Sequence, residues 1–261
     1  MNMYEAIFVR KSTRAFTDEL LEERTLAQFR HFLGQLEPYK NIKTEFKIIS
    51  CLEGEGQGKK LRPRGGVKAP YYLLLSSELK ADYLLNAGFL LEQAVLYLTA
   101  REIGTCYQGS AVFPKELLGE LAYEYVMAVA FGRAKNEVYR DPDSRRRLPE
   151  KELIVWKEEP DENLRRVMEA AIAAPSAYNA QPWRFVAYEN RVHLFCRKGP
   201  VFRNVLSDAR LLDMGVVMAN ISTAAEEKWM DITYTRSDTV SGMPFKKNEY
   251  ITTAVFRDKV F

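Results

Sequence analysis

The first half of the chain alternates between stretches with helical and with strand-like spacing of its apolar residues. Apolar positions recur every three or four residues in the helical stretches, whereas β-branched and aromatic residues cluster in the others. Residues 53–66, rich in glycine and basic residues, are predicted to form a loop. The predicted elements are helices over 3–9 and 20–35, strands over 44–52 and 71–77, a long helix over 80–102, a strand or loop over 105–110, a helix over 114–121 and a strand over 125–131.

A polar segment, 132–159, separates this half from a second half with a similar pattern, and it has no regular period before Leu153–Trp156. We therefore predict a first half over 1–140, a connecting arm over 141–160 and a second half over 161–261. Both halves run from a helix through a loop with Pro and Asn to a Phe-bearing strand and a long helix. Taken alone, this similarity fits chance as well as internal duplication. The predicted elements of the second half are a helix over 162–174, strands over 183–188 and 191–196, a long helix over 209–228, and strands over 230–236 and 250–257.

Composition and charge exclude several classes of protein. The 261 residues carry 38 Lys and Arg against 35 Asp and Glu, and this net charge of +3 does not indicate a nucleic acid or an anionic membrane as partner. The longest apolar stretch, Leu84–Ala100, contains Asn86 and Glu92, so it predicts a buried helix rather than a membrane span. The first ten residues lack the apolar core of a signal peptide, which favours a cytoplasmic location.

The positions of cysteine and histidine indicate neither disulfides nor a metal site. Cys51, Cys106 and Cys196 stand far apart with no CxxC spacing, and His31 and His193 have no companion at metal-ligand spacing. We therefore expect free thiols and no bound metal.

The first segment with candidate chemistry is Arg10-Lys11-Ser12-Thr13-Arg14, which follows the first predicted helix. Three cations and two hydroxyls in five positions suit a phosphate or another anion with several oxygens, because guanidinium and hydroxyl groups donate to such oxygens. A solvated, charged turn is the alternative that composition alone favours.

The second segment is Ala174–Phe185, which combines small residues with the amides of Asn179 and Gln181. Small residues permit close approach, and amides both donate and accept hydrogen bonds. This combination suits the edge of a planar heterocycle such as an isoalloxazine ring. An Asn-stabilised loop closed by Pro182 is the alternative.

Together the two segments resemble the FMN-dependent nitroreductase family. Its members combine an early Arg-Arg-Ser-x-Arg-x-Phe motif with a helix that ends in Ala-Pro-Ser-x-x-Asn-x-Gln-Pro-Trp. Arg10–Phe16 carries the first motif with Lys11 at the second basic position, and Ala174–Trp183 carries the second motif completely. The resemblance implies an α+β nitroreductase-like fold that binds FMN.

Two further segments match the family less strictly. Gly104–Gly109 is similar to the family segment whose backbone faces flavin N5 and O4, which would be the role of Gln108 and Gly109. Arg145 and Arg147 match a basic pair beside the FMN phosphate, although a solvated charge run is an open alternative. No residue is expected to be catalytic, because FMN carries the chemistry. The cofactor-binding residues that the resemblance implies are Arg10, Lys11, Ser12, Arg14, Gln108, Gly109, Arg145, Arg147, Pro175, Ser176, Ala177, Asn179 and Gln181.

The distance between the two motifs departs from the family pattern. In the family they lie roughly 20–30 residues apart, whereas here about 160 positions separate them. Family members place each FMN at a dimer interface, with one motif from each subunit. The resemblance therefore implies two sheet-plus-helix halves related as a pseudodimer, with one FMN per chain because each half lacks one motif. We expect a monomer.

The resemblance also implies an activity. Family members use NADH or NADPH to reduce FMN and then reduce a small acceptor such as a nitroaromatic or a quinone. Two alternatives are a non-catalytic FMN-binding or regulatory protein and a flavin-free interaction module on the same fold. The glycines at 54, 56 and 58 do not form a dinucleotide-binding motif, because acidic residues intervene and no helix begins there.

Overall fold

The computed structural model of the chain describes residues 1–51, 62–199 and 204–259. Most of the loop predicted over 53–66 lies outside this range, as do the glycines at 54, 56 and 58. The chain divides into two compact units, Met1–Ser144 and Arg145–Phe261. This boundary falls within the segment predicted as a connecting arm, 141–160, whose role as a connection stays a prediction.

The first unit is a four-stranded antiparallel sheet in the order β1-β2-β4-β3 with helices on its faces. The predicted helix over 3–9 and strand over 71–77 are confirmed residue for residue. The described elements of this unit are α1 (Met3–Val9), α2 (Glu23–Gln35), β1 (Thr44–Ser50), β2 (Tyr71–Ser77), α3 (Tyr83–Thr99), β3 (Gly104–Tyr107), α4 (Lys115–Gly119), β4 (Glu124–Gly132) and a single 3-10 turn (Pro142–Ser144).

Strand β2 is buried on both faces because its alternate side chains enter two separate apolar clusters. Leu73 and Leu75 pack in the cluster that contains the apolar sides of α2 and α3. Tyr72 and Leu74 pack in the opposite cluster, which includes Phe113 beside α4. A strand covered on both faces explains the uninterrupted apolar run in the sequence.

The second unit is a five-stranded sheet in the order β5-β6-β7-β9-β8, in which only β5 runs parallel to its neighbour. The predicted strand over 183–188 is confirmed at both ends. The described elements of this unit are α5 (Glu150–Leu153), β5 (Ile154–Trp156), α6 (Glu162–Ile172), a 3-10 turn (Ala177–Asn179), β6 (Trp183–Tyr188), β7 (Arg191–Arg197), α7 (Asn204–Glu227), β8 (Met230–Thr235), α8 (Asp238–Ser241) and β9 (Asn248–Asp258).

The two units share one topology. The order β1-β2-β4-β3 in the first corresponds to β6-β7-β9-β8 in the second, and a long helix, α3 or α7, lies between the second and third of these strands in the chain. The two units agree in strand order, strand direction and helix position. This agreement is a much stronger sign of internal duplication than the sequence similarity of the two halves.

One hydrogen bond recurs in both units at corresponding positions. The Lys40 N–H donates to Asn86 Oδ1 over 3.0 Å, and the Ala177 N–H donates to Asp213 Oδ1 over 3.0 Å. Each donor stands two residues after a proline, and each acceptor stands two residues before a glycine of the long helix. The contact ties the loop before the first strand of each repeat to the central helix, and it supports internal duplication.

Within the described parts of the chain, every helix is too short or too polar to cross a membrane.

Candidate functional site

The turn that carries Arg10–Arg14 is held against the first sheet from two sides. Ser12 forms an isolated parallel bridge with Thr105 of β3, and the Thr13 N–H donates to the Thr105 carbonyl over 2.8 Å. On the other side, Arg10 bridges to Tyr139. The turn is therefore an extended segment along the edge of β3, with a defined backbone.

Close packing between Gly104 and Thr13 fixes the distance of this segment from β3. A Cβ at Gly104 would lie 2.6 Å from Thr13 Oγ1 and 2.9 Å from Thr13 Cγ2. The Thr13 side chain is buried, and its hydroxyl has no hydrogen-bond partner among the described residues. Gly104 thus permits an approach that a larger residue would prevent.

Arg10 is a buried cation that forms no ion pair with an acidic residue within the described part of the chain. It is 2% exposed, and its Nε has no hydrogen-bond partner there. Buried charges in proteins are usually paired, so a buried guanidinium with an unpartnered Nε is compatible with an anion as ligand, which stays a prediction.

Further positive groups lie beside Arg10. Arg140 Nε donates to the Arg10 carbonyl over 3.2 Å. Burial lowers the pKa of the Arg140 guanidinium, and the positive charge of Arg10 lowers it further. Burial raises the pKa of the Cys106 thiol, while the charges of Arg14 and Arg10 oppose that rise, so both cations lie near Cys106. Lys11 and Ser12 are half-buried in the same turn. The structure therefore groups the predicted residues of the first motif into one cationic site.

Gln108 and Gly109 follow β3, and the structure separates their roles. Gln108 is 2% exposed, and its N–H donates to the Ala128 carbonyl over 2.9 Å. Its side chain accepts from the Val67 N–H over 2.8 Å and donates to the Cys106 carbonyl over 3.0 Å. The sheet therefore uses the Gln108 N–H, and the predicted contact of the Gln108 and Gly109 backbone with a flavin stays a prediction. Gly109 is exposed, with open space around it.

In the second unit, Arg147 binds the end of helix α6. Its guanidinium donates to the Ala173 and Ala174 carbonyls over 2.8 and 3.0 Å and to Asn179 Oδ1 over 2.7 Å. A cation at a helix C-terminus satisfies carbonyls that have no partner within the helix. Arg145 also donates to the Ala173 carbonyl, over 3.5 Å. The predicted contact of this pair with a phosphate stays a prediction, and the structure adds a role in holding the loop.

The loop 175–181 has a strained backbone that hydrogen bonds hold in place. Tyr178, Asn179 and Gln181 have φ values of 53°, 55° and 46°, which cost roughly 1–3 kcal/mol each for residues other than glycine. The Gln181 N–H donates to Ser176 Oγ over 2.9 Å, and Asp213 accepts from Ala177. Such strain persists where the surroundings determine the backbone, which is common at binding sites.

The two amides predicted to face a heterocycle are engaged within the second unit. Gln181 is 4% exposed; its Oε1 accepts from the Leu148 N–H over 2.9 Å, and its Nε2 donates to the Asn179 carbonyl over 3.2 Å. Asn179 Nδ2 donates to the Arg146 carbonyl over 2.9 Å. These side chains shape the loop, and their direct contact with a cofactor stays a prediction. Pro175, Ser176 and Ala177 are half-buried.

Three residues of these sites were not predicted from the sequence as functional. Arg140 lies in a polar segment without a motif, so no sequence signal distinguishes it. Gly104 begins the segment that resembles the family, and its role becomes visible only through the contact with Thr13. Asp213 belongs to the internal repeat, which could have identified it as the counterpart of Asn86.

The sequence and the fold of the chain are similar to those of known proteins. A family model described as "Putative TM nitroreductase" matches residues 2–225. The chain belongs to this nitroreductase family. Nitroreductases are oxidoreductases, so membership establishes the general class of activity. The predicted family and the α+β nitroreductase fold are confirmed.

One solved structure shows the same fold over nearly the whole chain. A crystal structure of "a putative nitroreductase" from Thermotoga maritima is 21% identical, with a TM-score of 0.66, and the match covers 98% of this chain and 93% of that one. An FMN- and NADPH-dependent nitroreductase from Sphigopyxis sp. strain HMH is 17% identical, with a TM-score of 0.44 and coverage of 60% and 99%. A nitroreductase with bound FMN from Desulfitobacterium hafniense DCB-2 is 15% identical, with a TM-score of 0.42 and coverage of 57% and 100%. No curated protein matches the chain.

Proposed function

We propose that this nitroreductase-family chain is an FMN-dependent oxidoreductase that uses NADH or NADPH to reduce a small acceptor such as a nitroaromatic or a quinone. The observation that carries the proposal is the buried Arg10, whose Nε has no partner among the described residues. The cytoplasmic location, the monomeric state and the pseudodimer with a single flavin are part of the same proposal.

The residues around Arg10 fit the phosphate of FMN. A phosphate carries about two negative charges and oxygens that accept several hydrogen bonds. The turn offers two guanidinium groups from Arg10 and Arg14, an ammonium group from Lys11 and a hydroxyl from Ser12. Burial of Arg10 strengthens its charge-assisted bonds, because the local dielectric constant is lower than that of water.

The remaining residues would position the rest of the cofactor. Gly109 provides an exposed backbone with open space around it, and the loop of the second unit provides the small residues Pro175, Ser176 and Ala177. Asn179, Gln181 and Arg147 would keep that loop rigid, so little conformational entropy is lost on binding. FMN, when bound, supplies the hydride chemistry, whereas the protein supplies placement, charge and access.

Purified protein tests the proposal directly. We expect a yellow protein that releases FMN on denaturation and is bleached by NADH or NADPH under anaerobic conditions. Colourless protein that does not take up added FMN would contradict the flavin assignment. Bound FMN without bleaching by either nucleotide would favour the non-catalytic, regulatory alternative instead.

Matched variants test the site. Arg10→Gln removes a buried charge and is expected to weaken FMN binding about 10- to 100-fold, because a charged hydrogen bond contributes roughly 1.5–3 kcal/mol. Arg133→Gln is the control, since that arginine is exposed and pairs with Glu19. Arg14→Ala and Asn179→Ala should each weaken FMN retention, the second by loosening the strained loop. If neither changes retention, the proposal that both motifs serve one flavin is wrong.

A further inference from the structure

The two units differ in the connection between the first two strands of their shared order. In the first unit, residues 51–70 join β1 to β2, whereas only residues 189–190 join β6 to β7 in the second unit. Residues 62–68 of the longer connection, the cationic segment, carry three cations and no acidic residue. The second unit forms the same strand order without such a segment, so the fold itself does not require it. Loops of this kind often carry function.

Backbone hydrogen bonds hold the cationic segment beside the residues that follow β3. The Arg64 N–H donates to the Val112 carbonyl over 2.9 Å, and the Val112 N–H donates to the Arg64 carbonyl over 2.8 Å. The Val67 N–H donates to Gln108 Oε1 over 2.8 Å. Gly109 lies between these two attachments in the sequence and is exposed. The segment therefore has a defined position next to Gly109.

The turn inside the cationic segment requires glycine at two positions. Gly65 and Gly66 both have a φ of 71°, which glycine adopts at little cost. A Cβ at Gly65 would lie 3.0 Å from the Ser110 carbonyl oxygen, and a Cβ at Gly66 would lie 2.5 Å from Gln108 Oε1. Both glycines are exposed, and their N–H groups donate to no other residue that the structure describes. Successive exposed N–H groups in a turn are suited to bind an anion.

Two exposed cations flank this turn. Arg64 directly precedes the two glycines, and Lys68 follows them by two residues. Neither forms an ion pair within residues 1–51, 62–199 and 204–259. Arg62 differs, because its guanidinium donates to the Cys51 carbonyl over 2.9 and 2.8 Å and so anchors the segment. The positive charge beside the turn is therefore not balanced by a described carboxylate.

We propose that the cationic segment binds the 2′-phosphate of NADPH through Arg64, Lys68 and the N–H groups of the two glycines, and that it thereby selects NADPH over NADH. The inference rests on the proposed function, in which the flavin ring lies beside Gly109. Arg64 pairs with Val112, and three residues of chain span at most about 11 Å. A dinucleotide whose nicotinamide ring meets the flavin beside Gly109 can therefore reach the segment with its adenosine end.

A phosphate monoester fits these donors better than the other phosphates of the reductant do. At neutral pH a monoester carries about 1.5–2 negative charges and three terminal oxygens, so two cations can balance it. A guanidinium donates to phosphate oxygens in a fixed fork, and an ammonium group adds a second positive charge. The bridging phosphates are identical in NADH and NADPH, so contacts with them cannot distinguish the two nucleotides.

Two adenosine phosphates test the site without a hydride step. The full chain with added FMN is titrated with 2′,5′-ADP and with 5′-AMP, which differ only in the 2′-phosphate, and binding is measured by calorimetry. We expect 2′,5′-ADP to bind about tenfold more tightly, because the extra phosphate forms charged hydrogen bonds at an exposed site. This difference should shrink with added salt. In anaerobic stopped-flow experiments, NADPH should bleach FMN at a lower half-saturating concentration than NADH.

Matched variants test the two cations. Arg64→Gln and Lys68→Gln each remove one charge and keep a polar side chain. Each should weaken the binding of 2′,5′-ADP about three- to tenfold, and the double variant should bind 2′,5′-ADP no more tightly than 5′-AMP. Lys115→Gln is the control, because it removes one exposed charge at the start of α4 in the same unit. The control should keep the preference for 2′,5′-ADP.

Three results would overturn the inference. One is equal affinity of the unaltered chain for 2′,5′-ADP and 5′-AMP. Another is an equal loss in the Lys115→Gln variant, which would indicate diffuse attraction rather than a site. A third is loss of FMN from the Arg64→Gln or Lys68→Gln variant, which would assign the segment to the flavin instead of the reductant.

Failure of the proposed function gives a different result. Colourless protein, or yellow protein that neither nucleotide bleaches, would contradict the redox function. The comparison of 2′,5′-ADP with 5′-AMP can be made with either protein, so it still decides whether the cationic segment recognises the 2′-phosphate. Yellow protein that is bleached equally well by NADH and NADPH, and that binds both adenosine phosphates equally, would leave the proposed function intact and refute this inference alone.

Discussion

Replacing Gly104 by alanine tests how the turn that carries Arg10–Arg14 is held against β3. The backbone at Gly104 does not require glycine, because its φ lies outside the left-handed region. The close packing around Gly104 does require glycine, since an added Cβ would lie 2.6 Å from Thr13 Oγ1 and 3.0 Å from Thr13 Cβ. The Gly104→Ala variant must therefore displace Thr13, and the turn with it.

The expected loss of stability follows from two opposing terms. Overpacking a buried contact costs about 1–3 kcal/mol. Replacing glycine by alanine regains roughly 0.4–1 kcal/mol, because the unfolded chain has fewer conformations. We expect a net loss of about 1–2 kcal/mol in the free energy of unfolding of the first unit, together with weaker FMN retention, because Arg10 and Arg14 move with the turn.

The assay must report on the first unit. All three tryptophans, Trp156, Trp183 and Trp229, lie in the second unit, so tryptophan fluorescence follows that unit. Urea unfolding is therefore measured by circular dichroism together with fluorescence, and the circular dichroism transition should shift more than the fluorescence transition.

A second substitution makes the prediction specific to the contact. Thr13→Ala removes both Oγ1 and Cγ2 without breaking a described hydrogen bond of the hydroxyl. In the double variant it should recover part of the loss, with a coupling of about 1 kcal/mol. If Gly104→Ala changes neither stability nor FMN retention, or if Thr13→Ala recovers nothing, the packing argument is wrong.

Three further predictions concern other contacts. Asp213→Ala should destabilise the second unit by about 1.5–3 kcal/mol, measured by urea unfolding and tryptophan fluorescence. Asp213→Asn should cost less, because Asn86 makes the equivalent bond in the first unit. Equal losses for the two variants would contradict this prediction. Burial raises the pKa of the Cys51 and Cys196 thiols from 9.0 to about 11 and about 12, so the folded state holds their protons more tightly. The free energy of unfolding should therefore fall as pH rises above 9, and iodoacetamide should label both thiols slowly at about pH 8. Gly34→Ala should stabilise the first unit by roughly 0.4–1 kcal/mol in thermal unfolding, because Gly34 lies in the last turn of α2 with open space for a Cβ, and alanine reduces the conformational freedom of the unfolded chain.

Local pattern was sufficient for most of the fold. Strand β2 and helix α1 were predicted to their exact ends, because a continuous apolar run and an amphipathic turn are encoded within a few neighbouring residues. The capping box between Asn2 and Glu5 at the start of α1 is equally local. The loop 174–183 was identified because it carries a complete motif, and the family followed from it.

Contacts between distant residues needed the tertiary structure. The sequence predicts that Arg10 binds an anion, but only the packing shows that Arg10 is buried and that its Nε has no hydrogen-bond partner among the described residues. Sequence assigned Arg147 and Gln181 to a cofactor, whereas the structure shows them hydrogen-bonded to a helix end and to the Leu148 backbone. An amide or a guanidinium can bind either a cofactor or another part of the protein. Its chemistry alone therefore does not determine its partner.

The sequence by itself determined the family, the two halves and the motifs, because each depends on residues close together in the chain. The tertiary structure decided that the halves share one strand order and that Gly104 sets the position of the turn that carries Arg10–Arg14. These features arise from contacts between residues that are far apart in the sequence, and such contacts leave little signal in the local sequence pattern. Periodicity shows which residues form a strand, and only the folded chain shows which strands pair.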